Sequence, residues 1–286
     1  MRVSIRRAAV AGSWYPGTAR ALAASVDQHL AAIGDGGPTG ELVALVAPHA
    51  GLMYSGPVAA HAYGLLRGRR FDVAVLVGPS HFVGFDGVAA YPVGGHEGAE
   101  SPGGFETPLG IAPIDVDCSA ALMRAMPLVR EHAAAHAREH SLEMQLPFLQ
   151  RLAPGAKIVP LLMGYQTADT ARGLGDALAL VLRGRGALLI ASTDLSHYHD
   201  AATAAALDAV VIDSVERFDA EALQQALDAR PEHACGGGPT VAVMRAARLL
   251  GARDAVVLNH ADSGDVSGDK SSVVGYMAAA FGNFDR

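Results

Sequence analysis

The sequence predicts one α/β domain over residues 1–286, with helices on both faces of a central, mostly parallel or mixed sheet. Three observations carry that expectation. Short apolar runs rich in β-branched residues alternate with segments whose apolar residues recur at helical spacing. No change of composition and no internal repeat divides the chain, and 50% of it is hydrophobic, ample for a buried core. Three of the apolar runs also end in a turn that carries a histidine, the place where open α/β sheets bind ligands.

The elements follow in order. Thr18 is a candidate N-cap for a helix over 19–33, where Leu22, Val26, Leu30 and Ile33 share a face. Trp14 and Tyr15 before it are expected to pack under a loop, and residues 34–40 form a Gly-rich connection too short to link domains. Residues 42–46 read as a buried strand. Pro48 ends its ladder, having no N–H to donate, and His49 sits just beyond. Gly56 and Pro57 are expected to open the next helix, with Pro near the first turn, and His61 inside it reads as structural. A strand over 72–77 runs into Gly78-Pro79-Ser80-His81, and a short strand covers 87–91. The Gly- and Pro-rich stretch 94–110 is expected to be irregular, either a lid or a surface excursion.

Helices are predicted over 117–126, 140–152 and 168–182, with a strand at 157–162 between the last two. The strand 187–191 leads into a third histidine cluster, Ser192-Thr193-Asp194-Leu195-Ser196-His197-Tyr198-His199. Helices over 201–217 and 219–228 come next. Another opens at Cys235-Gly236-Gly237-Gly238 and runs to about residue 250, and strands at 254–260 and 271–280 close the chain.

Composition removes several function classes. The net charge is −7 and the basic residues are scattered, apart from Arg67-Gly68-Arg69-Arg70, which reads as a solvated helix end, so nucleic acid is not an expected partner. No apolar stretch approaches the ~20 residues of a membrane span. Cys118 and Cys235 make no disulfide framework and suit a reducing compartment, and the basic N-terminus lacks the apolar segment of a signal peptide. A cytoplasmic protein is expected.

The histidine motifs need sorting. His136-Ala137-Arg138-Glu139-His140 matches H-x-x-E-H, which would set two zinc-binding histidines a helical turn apart. Ser141, however, reads as an N-cap and leaves His140 outside the following helix. The segment 264–271 resembles a phosphate loop only superficially, because its glycine spacing is wrong and a strand follows it. Cys235 at a helix start is a better candidate, either as an activated thiolate beside an anion cradle or as a small residue at a tight turn. Cys118 reads as packing. Imidazoles and a thiolate suit iron, copper or zinc, and a carboxylate such as Asp194 near His197 would set an imidazole's tautomer.

Six motifs occur in the order of a known family. They are 11–16 (Ala-Gly-Ser-Trp-Tyr-Pro), 47–51 (Ala-Pro-His-Ala-Gly), 78–81 (Gly-Pro-Ser-His), 139–147 (Glu-His-Ser-Leu-Glu-Met-Gln-Leu-Pro), 192–197 (Ser-Thr-Asp-Leu-Ser-His) and Cys235-Gly236. Over essentially its whole length the chain resembles the Memo family, called AmmeMemoRadiSam system protein B in prokaryotes. The resemblance implies the fold of the class III, LigB-like extradiol dioxygenases. It implies His49, His81 and Cys235 as metal ligands, with Fe(II) as the expected metal and copper or zinc as alternatives. His197 takes the place of the dioxygenase base, with Asp194 close by, and His140 lines the same pocket. A radical-SAM protein and an AMMECR-type protein are the implied partners, and the small-molecule substrate is not identified. Three readings follow: a metal-dependent redox enzyme with His197, Asp194 and His140 as catalytic groups, a Cys235-nucleophile hydrolase or transferase, and a binding or scaffold protein that uses the same pocket.

Overall fold

A computed structural model describes residues 5–34, 36–92 and 103–285. In chain order its elements are β1 Ile5–Arg6, α1 Ala19–Ala32, β2 Gly40–Ala47, α2 Leu52–Gly64, β3 Val73–Pro79, β4 Val88–Ala90, β5 Gly104–Thr107, β6 Gly110–Pro113, α3 Val116–Ala125 and β7 Val129–Glu131. There follow α4 Ala133–Ala137, a 3-10 turn at Glu143–Gln145, α5 Leu146–Leu152, β8 Lys157–Met163, α6 Ala168–Leu182, β9 Ala187–Ser192, β10 His197–His199, α7 Ala201–Glu216 and α8 Ala220–Ala229. A short turn at Pro231–His233, α9 Gly237–Leu249, β11 Asp254–Asp262, α10 Gly264–Ser267 and β12 Val273–Phe284 complete the chain.

The α/β architecture expected from the sequence is present, and the sheet is mixed. Its order is β10-β12-β2-β9-β3-β8-β4-β7, with β11 also paired to β12. The centre, β2-β9-β3-β8, is parallel. Antiparallel strands flank it, β12 against β2 and β4 against β8. β1, β5 and β6 form a separate small sheet.

Both faces of the parallel centre are covered, so its strands read as continuous apolar runs. Along β3, Val73, Val75 and Val77 enter one core with Leu122 of α3, Leu174 of α6, Val211 of α7 and Val243 of α9. Ala74 and Leu76 enter the other, with Leu22 and Val26 of α1, Tyr63 of α2 and Phe148 of α5. One sheet therefore separates two cores, with helices on each side.

Several boundaries shift for local reasons. Helix α2 begins at Leu52, so Pro57 lies inside it rather than at its opening. The predicted helix over 140–152 is a 3-10 turn followed by α5 with Pro147 in its first turn. Ser141 does not cap it, because its Oγ donates to the carbonyl of Pro79 at 3.0 Å. Part of the stretch expected to be irregular pairs as β5 and β6, while its positions 94–102, the candidate lid, lie outside the described residues. Pro160 is accommodated within β8 because β4 pairs with that strand only from Leu161 onward. Cys118 is buried in the α3 face, as expected. Among the described residues no helix is long and apolar enough to cross a membrane.

Candidate metal centre

Three loops leave the carboxyl ends of adjacent parallel strands. His49 follows β2, Asp194 follows β9 and His81 follows β3, so β9 stands between the two histidine-bearing strands. Cys235 arrives from far along the chain, just before the N-cap Gly236 of α9. Its Sγ lies 3.2 Å from His49 Nε2 and accepts the Asp194 N–H at 3.3 Å. Gly236 lets this turn approach β9, because a Cβ there would run into the Ser192 carbonyl and the Thr193 side chain. One ligand atom each from His49, His81 and Cys235 falls within 4.8 Å of the others.

Each imidazole is held from behind. His49, 2% exposed, places Nδ1 2.9 Å from Ser192 Oγ. His81 Nδ1 donates to Glu139 Oε1 at 2.9 Å, and its backbone N–H donates to Oε2 at 2.6 Å. Glu139 also accepts the N–H groups of His140 and Ser141, each at 2.8 Å. Burial works to raise the Glu139 pKa, but the hydrogen bonds from His81 and Ser141 hold it down to about 2. Burial lowers the His49 pKa well below the usual imidazole value, and neighbouring His81, His140 and His197 add to that shift. A buried neutral imidazole beside a thiol is a donor set for a transition metal. The residues present fit such an ion.

His140 stacks on His81, with ring centroids 4.6 Å apart and 11° between planes. Burial brings its pKa down to about 4. Trp14 also packs against it, at 4.3 Å between centroids. Tyr15 packs as expected, but Trp14 is a wall of this pocket. The segment bearing both is stapled down by the fully buried Glu143, which accepts from Arg6, the N–H groups of Ala9 and Val10, and Tyr15 Oη.

The remaining expected residues separate. His197 opens β10 and lies close enough to lower the His49 pKa, yet its imidazole has no hydrogen-bond partner among the described residues. Asp194 does not orient it. Its Oδ1 accepts the His49 N–H at 2.7 Å, and the Ala50 N–H is a further donor. Burial outweighs those hydrogen bonds and raises the Asp194 pKa to about 7. His136 stays out of the cluster, donating Nε2 to the Ala89 carbonyl at 3.0 Å, so the two histidines of the H-x-x-E-H match do not converge, and Glu139 and His140 group instead with His81. The helix-start anion cradle is also filled, since Gly236 N–H donates to Thr193 Oγ1 and Gly238 N–H to Gln166 Oε1. Burial raises the Cys235 thiol pKa rather than lowering it.

Trp14, Glu139, Gln145 and Ser192 are pocket residues that periodicity did not mark. All four lie inside the motifs of the family resemblance, but only the fold shows what they touch.

The Memo-like protein family model matches residues 6–280. The chain belongs to the Memo family. A MEMO1 family protein of Methanothermobacter thermautotrophicus is 38% identical to it over 283 residues, covering 95% of this chain and 98% of that protein. Another, of Nitrosopumilus maritimus, is 33% identical over 283 residues and covers 97% and 99%. Among solved structures, an uncharacterized protein JW3007 from Escherichia coli K12 aligns with a TM-score of 0.52. That match spans 82% of this chain and 99% of that one at 16% identity. At such identity it speaks for the fold of this Memo-family chain and no more.

Proposed function

We propose that this Memo-family protein is a metal-dependent redox enzyme of the dioxygenase-like kind, acting on a small molecule in the cytoplasm. His49 and His81 would hold Fe(II), or copper, through Nε2, and Cys235 through Sγ. The observation that carries this reading is the meeting, within 4.8 Å, of one ligand atom from each of the three residues, each from a different loop. Such an ion would supply a Lewis acid and a one-electron couple. The chain's own residues do the rest. Ser192 and Glu139 orient the two imidazoles. His197 and His140, with basic nitrogens kept neutral by burial, take up or return a substrate proton. Asp194 ties the His49 loop to β9 and, with a carboxyl poised at about 7, is a third proton holder. Trp14 packs against His140, with ring centroids 4.3 Å apart.

The raised thiol pKa of Cys235 speaks against a free nucleophile, because a protonated thiol attacks poorly and needs a cation beside it to ionise. The prokaryotic family name supports a shared pathway with radical-SAM and AMMECR-type proteins. The test is elemental analysis after anaerobic purification. Close to one transition metal per chain is expected in the wild type, with loss in His49→Ala and Cys235→Ala. Full retention in both variants would sink the reading. Metal-free wild type would instead favour the pocket as a recognition site for a partner.

A further inference from the structure

Hydrogen-bond accounting around Ser192 decides where the proton on His49 sits. The hydroxyl has one proton and two lone pairs. Three groups surround it: the Ser141 carbonyl at 2.7 Å, Gln145 Nε2 at 2.7 Å and His49 Nδ1 at 2.9 Å. The carbonyl can only accept, so the Ser192 proton goes there. Gln145 presents its NH₂ to Ser192 because the same nitrogen donates to the Pro48 carbonyl at 3.1 Å, while its Oε1 accepts from Tyr63 Oη at 2.7 Å. One Ser192 lone pair is thereby used. The other remains for an N–H on His49 Nδ1, which leaves Nε2 bare and facing Cys235 Sγ. Glu139 reaches the same result for His81. Its carboxylate receives three backbone N–H groups, is an acceptor throughout, and requires a proton on His81 Nδ1.

We infer that Ser192, with its direction set by Gln145, and Glu139 are positioning residues that lock His49 and His81 as Nδ1–H tautomers, so that both Nε2 lone pairs are free before any metal arrives, that of His49 facing the Cys235 thiol. This rests on the proposed metal site, but the tautomers belong to the metal-free chain and are read separately. The pocket is then a preformed donor set. Losing an outer hydrogen-bond partner of a ligating histidine weakens metal affinity by ~10–100-fold.

The experiment uses the full chain stripped of metal by chelator. Long-range ¹H–¹⁵N spectra of the histidine rings report the tautomers, and Zn(II) competition against a chromophoric chelator reports affinity. Wild type should show both rings as Nδ1–H. Ser192→Ala should release His49, and Glu139→Gln should release His81, each into a mixture of tautomers with Zn(II) binding at least tenfold weaker. Ser192→Thr, which keeps the hydroxyl, should restore the wild-type pattern. Nε2–H rings in the wild type would overturn the inference without any variant having to fold. So would unchanged tautomers in both folded variants. Nδ1–H rings in a wild type that takes up neither Zn(II) nor Fe(II) would uphold the tautomer lock and remove the metal reading.

Discussion

Two concave regions of this molecule invite opposite conclusions. The groove between α7 and β11 is a cavity of about 520 Å³, lined by Asp208, Asp213, Glu216, His260, Asp262 and Asp265 among others. The crevice beyond β2, β9 and β3 is built from imidazoles, a thiol and two buried carboxyl groups. Acidic groups of the groove spend themselves locally: Lys270 is paired with both Asp262 and Asp265, Asp213 with Arg217, and Asp208 accepts the Ser196 N–H. In the crevice the imidazoles of His49 and His81 are each oriented by a neighbour drawn from a distant segment. Glu139 and Ser192 act on rings 58 and 143 residues away in sequence. Convergence of supported donors sets the crevice apart from the groove.

The comparison is open to direct attack. The largest effect should fall on the crevice. His49→Ala is expected to lower metal content from near one per chain to near zero, whereas Asp213→Asn with Glu216→Gln in the groove leaves it unchanged; elemental analysis of both proteins decides the matter. Next comes the staple that holds Trp14 over His140. Arg6 and Glu143 form a buried ion pair, and Arg6→Ala leaves an uncompensated buried carboxylate. A loss of ~3–5 kcal/mol in unfolding free energy by urea titration is expected, with a change in Trp14 fluorescence.

A smaller effect concerns pH. Burial brings the His136 pKa down to about 3, despite the hydrogen bond to Ala89. The unfolded chain, with an ordinary histidine near 6.5, therefore holds one more proton between about 6.5 and about 3. The stabilisation is complete above the unfolded value and is lost as pH falls through that window. One proton amounts to a slope of about 1.4 kcal/mol per pH unit. Denaturation midpoints should fall from pH 7 to pH 4.5, and His136→Gln should flatten that decline. Smallest of all, the double groove variant should stay within ~0.5 kcal/mol of wild type, since Asp213 and Glu216 are exposed. A larger loss would mean that the groove is structural after all.

The sequence by itself determined the class of fold and the strand ends that carry His49, His81 and Asp194. Apolar runs of five or so residues, covered on both sides, have no polar alternation to confuse them, and helices such as α6 fell on the predicted residues because a Thr cap and an apolar stripe are local signals. Resemblance added Cys235, which no spacing connects to His49 across 186 residues. The tertiary structure decided the rest. It put Asp194 on the His49 backbone rather than on His197, and it raised a thiol pKa that the helix start alone would have lowered. It filled the Gly-rich cradle with Thr193 and Gln166, and it assembled Ser192, Gln145 and Glu139 behind the two imidazoles. Those outcomes depend on which loops share a crevice and how dry it is. Hydrogen bonds and desolvation act through space, and sequence periodicity reports only which face of its own element a residue occupies.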